Sequence, residues 1–128
     1  MLFRSWMGDA SSSATFGLPK DMFSERAPVE VQKGLVWAMG SVQGEREIVP
    51  YLARIADSNR NVEVRKAVVY AIGNQEYGDV VSVLRRVIER DSSREVQKAA
   101  IYALGNNDTP EARRALFAII RDMGLGQI

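Results

Sequence analysis

VQKGLVWAMG at residues 31–40, VRKAVVYAIG at 64–73 and VQKAAIYALG at 96–105 align without gaps, 33 and 32 residues apart. Valine, lysine, alanine and glycine recur at the same places, and so does an aromatic: Trp37, Tyr70 and Tyr102. In the middle copy Val64, Ala67, Val68, Ala71 and Ile72 fall at i, i+3, i+4, i+7 and i+8, the apolar stripe of one helix face. Glycine closes each copy at Gly40, Gly73 and Gly105, where a helix end often needs a left-handed residue.

A second apolar series follows each glycine. It comprises Ile48, Leu52, Ile55 and Ala56 in the first copy, Val80, Val83, Leu84, Val87 and Ile88 in the second, and Ala112, Leu116, Ile119 and Ile120 in the third. The helical period recurs in all three. Thr109-Pro110-Glu111 reads as N-cap, first-turn proline and first-turn acid, and Asp79 is placed to cap the equivalent helix of the second copy. Each unit is therefore a helix, a tight turn and a second helix. One hairpin cannot bury both its stripes, whereas stacked hairpins bury a continuous core. The expected fold is all-α: an α-solenoid of three helical hairpins at 28–60, 61–92 and 93–122. An N-terminal extension over 1–27 precedes it, with a short helix at 19–25, and a tail over 123–128 follows.

The unit resembles the HEAT repeat, in the short variety also seen in phycobilisome lyases. The resemblance rests on valine, arginine or glutamine, lysine, alanine or glycine, three variable places, alanine, an aliphatic residue and glycine, then a second stripe ending near Asp57, Asp91 or Asp122. It covers most of the chain. Tetratricopeptide arrays share the period, but their tryptophan and glycine pattern is absent, as is the T-P-L-H turn of ankyrin arrays. Such arrays serve unrelated partners, so the resemblance implies a binding scaffold without naming what is bound.

Composition narrows the chemistry. The 128 residues suit one domain, with 46% hydrophobic and 26% charged residues and a formal net charge of +1. That balance makes nucleic acid an unfavoured partner, restricted to a local patch. There is no cysteine and no histidine. The usual neutral-pH base, the commonest metal ligand and thiolate chemistry are removed with them. No phosphate loop or metal-ligand spacing is present, so no enzyme activity, metal or cofactor is expected. No run of about eighteen apolar residues exists, so a membrane span is not expected and a cytoplasmic location is the default. The apolar start, Leu2, Phe3, Trp6 and Met7, is broken by Gly8-Asp9 before a signal-peptide core forms.

Three surface features are candidates for function. Projected at about 100° per residue, the second helices turn Pro50, Ala53, Arg54 and Asp57, then Ser82, Arg85, Arg86 and Glu89, then Arg114, Phe117, Ala118 and Arg121 away from the core. The resemblance implies that second helices line the concave surface. That surface then carries five arginines against two acids, plus Phe117. Arginine matches carboxylate and phosphate geometry, so Arg54, Arg85, Arg86, Arg114, Phe117 and Arg121 are the expected partner-binding stripe. The plainer reading is a solvated face with ion pairs such as Arg85 to Glu89. Trp37, Tyr70 and Tyr102 form an aromatic row, expected to pack between repeats over Val69 or Ile101, with stacking on a ligand as the alternative. Lys33, Lys66 and Lys98 sit near helix starts beside Glu30, Glu63 and Glu95. In similar repeats, pairs such as Arg65 with the Asp57, Asp91 and Asp122 set form a ladder between hairpins.

The leading expectation is a non-catalytic scaffold gripping an acidic or extended protein segment. The alternatives are nucleic-acid binding through the arginine stripe and, from the resemblance to bilin-attaching lyases, chromophore or client binding. Apolar residues at both ends, Leu2, Phe3, Trp6 and Met7 at one and Phe117 near the other, raise a homodimer as an expectation.

Overall fold

The computed structural model describes residues 26–76 and 79–122. The expected helix at 19–25 and the 123–128 tail lie outside them. Among the described residues there are six α-helices and no strand: α1 Val29–Gly40, α2 Ile48–Ser58, α3 Val62–Gly73, α4 Val80–Arg90, α5 Arg94–Gly105 and α6 Pro110–Asp122. They form three hairpins stacked in order, with α1, α3 and α5 in one layer and α2, α4 and α6 in the other.

Side-chain caps start three of the helices. Asn61 Oδ1 accepts from the Glu63 and Val64 amides at 2.8 and 3.2 Å. Ser93 Oγ accepts from Val96 at 3.4 Å and Thr109 Oγ1 from Ala112 at 3.1 Å. Pro110 then occupies the first helical place, where its missing N–H is no loss. Asp79 departs from expectation: its side chain makes no capping bond to α4.

The core is continuous because neighbouring hairpins share it. Each first helix lies against the next first helix, and α2 and α4 pack more extensively on the following first helix than on their own. Val64, Val68, Ile72, Leu84, Val96 and Leu104 are all at most 1% exposed. This is the mutual burial that the paired stripes require.

The recurring glycines sit at the hairpin corners as expected, but for a different reason. They do not take left-handed backbone. The residues that follow, Ser41, Asn74 and Asn106, have φ of −88°, −83° and −83°, and Gly44 is the positive-φ glycine, at 87°. What Gly40 and Gly73 provide is absence of bulk. A Cβ on Gly40 would lie 2.8 Å from Ala71 Cβ and 3.1 Å from Ala71 Cα, and one on Gly73 3.0 Å from Ala103 Cβ. The first helices meet in a Gly–Ala seam.

Side-chain rungs close the first two hairpins within themselves, not between hairpins as expected, and a bond from Arg65 carries on to the preceding hairpin. Asn59 Nδ2 donates to Gln32 Oε1 at 2.9 Å. One repeat further on, Arg65 Nε and Nη2 donate to Asp91 Oδ2 and Oδ1 at 2.9 and 3.1 Å, while Nη1 donates to the Asn59 carbonyl at 3.0 Å. Asn59 and Asp91 also hold the loops they stand in: Asn59 Oδ1 takes the Asn61 amide and Asp91 Oδ1 the Ser93 amide, each at 2.9 Å. The expected ladder is thus corrected at two places. Asn59 stands where Asp57 was expected, and Asp57 is exposed. Asp122 pairs with its neighbour Arg121 at 3.7 Å, and Gln97 of that repeat donates to the Ile88 carbonyl at 3.0 Å. The Arg65–Asp91 side chains are 12% and 9% exposed. Removing one partner strands a poorly hydrated charge. Asp91→Ala is expected to lower stability by about 2 kcal/mol, read as a shift of the urea midpoint with unchanged slope. A midpoint within error of wild type would refute a structural role for the rung.

Candidate functional site: an arginine-lined cavity between the second helices

The predicted stripe is present, but its members are not equivalent. Arg54, Arg86, Arg114 and Arg121 are exposed, and Phe117 is 67% exposed on α6. Ala53 was expected outward and is buried at 6%, because α2 is apolar around more of its girth than the projection allowed. Several arginines are already engaged. Arg85 Nε donates to Glu89 Oε2 at 3.2 Å, the i+4 pair foreseen for a solvated face. Arg121 pairs with Asp122, and the Arg54 guanidinium lies 6.0 Å from the centroid of the Tyr51 ring, within cation–π range.

Arg86 and Arg114 close no ion pair among the described residues, and Arg86 is set apart by its place. It lines a cavity of about 310 Å³ between the C-terminal ends of α2 and α4, together with Asp57, Asn59, Arg65, Arg90 and Asp91. Ala56 and Val87 supply apolar wall. The Arg65–Asp91 rung contributes no net charge to the lining. Arg86 and Arg90 close no ion pair among the described residues, with Asp57 or any other acid. Two arginines one helical turn apart thus share an open cavity with Asp57, which leaves the lining one positive charge in excess. Such an i,i+4 pair costs a helix about 0.2–0.5 kcal/mol. An anion between them removes that repulsion and gains charge-assisted hydrogen bonds.

Arg90 was missed from sequence because the stripe was ended at Glu89. The signal was legible: Arg86 and Arg90 repeat at i,i+4, and the neighbouring acid Asp91 belongs to the ladder, so it cannot neutralise them.

The aromatic row overturns its packing expectation in part. Trp37 is 46% and Tyr102 57% exposed, while Tyr70 is half-buried against the core. The position lies about 240° around the helix from the stripe's opening valine, so the ring leaves the seam rather than entering it. Among the described residues, the middle repeat alone has neighbours on both sides to cover it. This row belongs to the first-helix layer and the arginines to the second, so the two do not form one site. The lysine column behaves as read at two of its three members: Lys33 meets Glu30 at 3.7 Å, and Lys66 meets Glu63 and Glu95, each at 3.6 Å, while Lys98 closes no ion pair among the described residues. Among the described residues no acidic cluster suited to a metal is present, and no helix is long and apolar enough to cross a membrane.

A stack of two-helix units with a shared core and an arginine-lined inter-repeat cavity defines an α-solenoid whose chemistry is that of a surface that binds. The chain belongs to the HEAT-repeat family: the family model described as HEAT repeats matches residues 55–123, just over half of the sequence. The match spans the second and third hairpins, and the first repeats their pattern at residues 31–40. HEAT repeats generally mediate protein–protein interaction and typically act without catalysis. No curated protein and no solved structure matches the chain.

Proposed function

We propose that the protein is a non-catalytic scaffold that binds an acidic segment of a partner protein across the outer face of its second helices, with the Arg86–Arg90 cavity taking a carboxylate side chain. The observation that carries this reading is the pair of guanidiniums without ion-pair partners around an open cavity. An aspartate or glutamate chain enters with its methylenes against Ala56 and Val87 and its carboxylate between the two arginines. Arg54, Arg114 and Phe117 extend the contact along the same layer, and Arg85 and Arg121 join by exchanging their present partners. The ends of the array remain available for contact with a second copy, the homodimer anticipated from the apolar ends.

The test uses a fluorescein-labelled glutamate-rich peptide and fluorescence anisotropy. Wild type is expected to bind with an affinity that falls as salt rises. Arg86→Glu is expected to abolish binding while changing unfolding free energy by less than about 0.5 kcal/mol, since it converts a repulsive i,i+4 pair into an attractive one. Equal binding by wild type and the Arg86→Glu, Arg90→Glu double variant sinks the proposal. Tighter retention of single-stranded DNA than of the peptide would favour the nucleic-acid alternative.

A further inference from the structure

The interface between consecutive hairpins occurs twice among the described residues, and each end of the described array carries one half of it with no described partner. At the first end, Val31 is 51% exposed, Gly34 and Ala38 are exposed and Leu35 is half-buried. The same places in the later copies are closed: Val64, Val68, Ala71, Val96 and Ala100 are 0% exposed, and Ala67, Ala99 and Ala103 at most 5%. At the other end, Ile101, Leu116 and Ile120 are half-buried and Gly105 is exposed. Their counterparts Val69 and Leu84 are 0% and Ile88 3% exposed, and Gly73 meets Ala103 across the seam.

The two open faces match each other. Inside the chain Gly40 approaches Ala71, and Gly73 approaches Ala103. The members of that series left without partners are Gly105 at one end and Ala38 at the other, and nothing but Leu116 Cδ2, at 4.0 Å, stands over Gly105. Charge follows the same rule at the second internal seam, while at the first Lys33 turns to Glu30 of its own helix. Lys66 bridges the seam to Glu95 of the next hairpin at 3.6 Å. By register the next such bridge runs from Lys98, exposed and without an ion pair among the described residues, to Glu30, whose side chain is 85% exposed.

We propose that the protein associates head to tail with further copies of itself, the Ile101–Gly105–Leu116–Ile120 face of one copy seating on the Val31–Gly34–Leu35–Ala38 face of the next. The contact is heterologous, so it continues the solenoid across molecules rather than closing a two-fold dimer. It reproduces an interface the chain already forms, with the same small-residue seam and the lysine–glutamate pairing of the second internal seam. It uses no residue of the arginine cavity, so its failure leaves the acidic-segment reading standing.

Analytical ultracentrifugation on the full chain tests it. Wild type is expected to grow in mass with concentration in steps of the 14.2 kDa chain. Ala38→Arg and Gly105→Arg each place a charged side chain on one exposed face and leave the core untouched, so each alone is expected to remain monomeric with an unchanged circular dichroism spectrum. Mixed one to one they are expected to give a dimer and nothing larger, because one intact face of each kind remains. Charge reversal supplies a second arm: Glu30→Lys and Lys98→Glu each weaken association, and the double variant restores it. The proposal is overturned if wild type stays monomeric at protein concentrations up to about 1 mM. It is equally overturned if Gly105→Arg alone dimerises, which is face-to-face pairing.

Discussion

Leu84→Ala is expected to destabilise the protein by about 2–5 kcal/mol, the range for a truncated core leucine. Leu84 is 0% exposed and sits where α4 meets the following first helix, in a core shared between hairpins. The void therefore weakens a repeat and a repeat–repeat interface together. In a chain of nearest-neighbour contacts, the interface terms hold the array as one cooperative unit. The melting temperature is expected to fall by more than about 10 °C, at about 4–8 °C per kcal/mol for a domain of this size. Leu116→Ala provides the contrast. Leu116 is the same position in the third hairpin and only half-buried, so its loss is expected to be smaller. Equal effects from the two would contradict the shared-core architecture.

The second large effect is at the seam. Gly40→Val is expected to cost about 3 kcal/mol, at the upper end of overpacking penalties. Its Cβ meets Ala71 Cα, a backbone atom that cannot swing away. Gly73→Val meets the Ala103 side chain first and is expected to cost less, and Gly105→Ala, with open space around its Cβ, is expected to be neutral or slightly stabilising. Three identical sequence positions thus give three outcomes, readable from one series of chemical denaturation curves. A ranking with Gly105 as the most sensitive position would refute the seam.

This series also shows how far the sequence carries. Three copies in register were enough for the fold, because apolar residues at helical period recur where two-helix units must share a core. The corner glycines were located correctly, yet their cause was not. Sequence marks a residue without a side chain, and only packing shows whether the backbone or a neighbour demands it. Asp57 and Asn59 illustrate the same limit. Both lie near the end of the second stripe, and a shift of two residues in where α2 stops decides which one reaches Gln32. Helix ends are the least legible part of such a reading. For the candidate site, period alone brought Arg54, Arg86, Arg114 and Phe117 to the outer face. It could not tell which arginines were already paired, and it closed the stripe one residue before Arg90. The aromatic row failed because burial at that angle depends on neighbours present on both sides, a condition met by Tyr70 and not by Trp37 or Tyr102.

Each rung lies within one hairpin, Gln32 to Asn59 in the first and Arg65 to Asp91 in the second, and clasps a first helix to the loop that ends its own second helix. Arg65 also reaches back to the Asn59 carbonyl of the preceding hairpin, and Gln97 to the Ile88 carbonyl. The Arg65 side chain therefore fastens its unit shut and hitches it to the one before. A hairpin that springs open at this end also loosens its grip on its predecessor, so opening is shared between units and not confined to one.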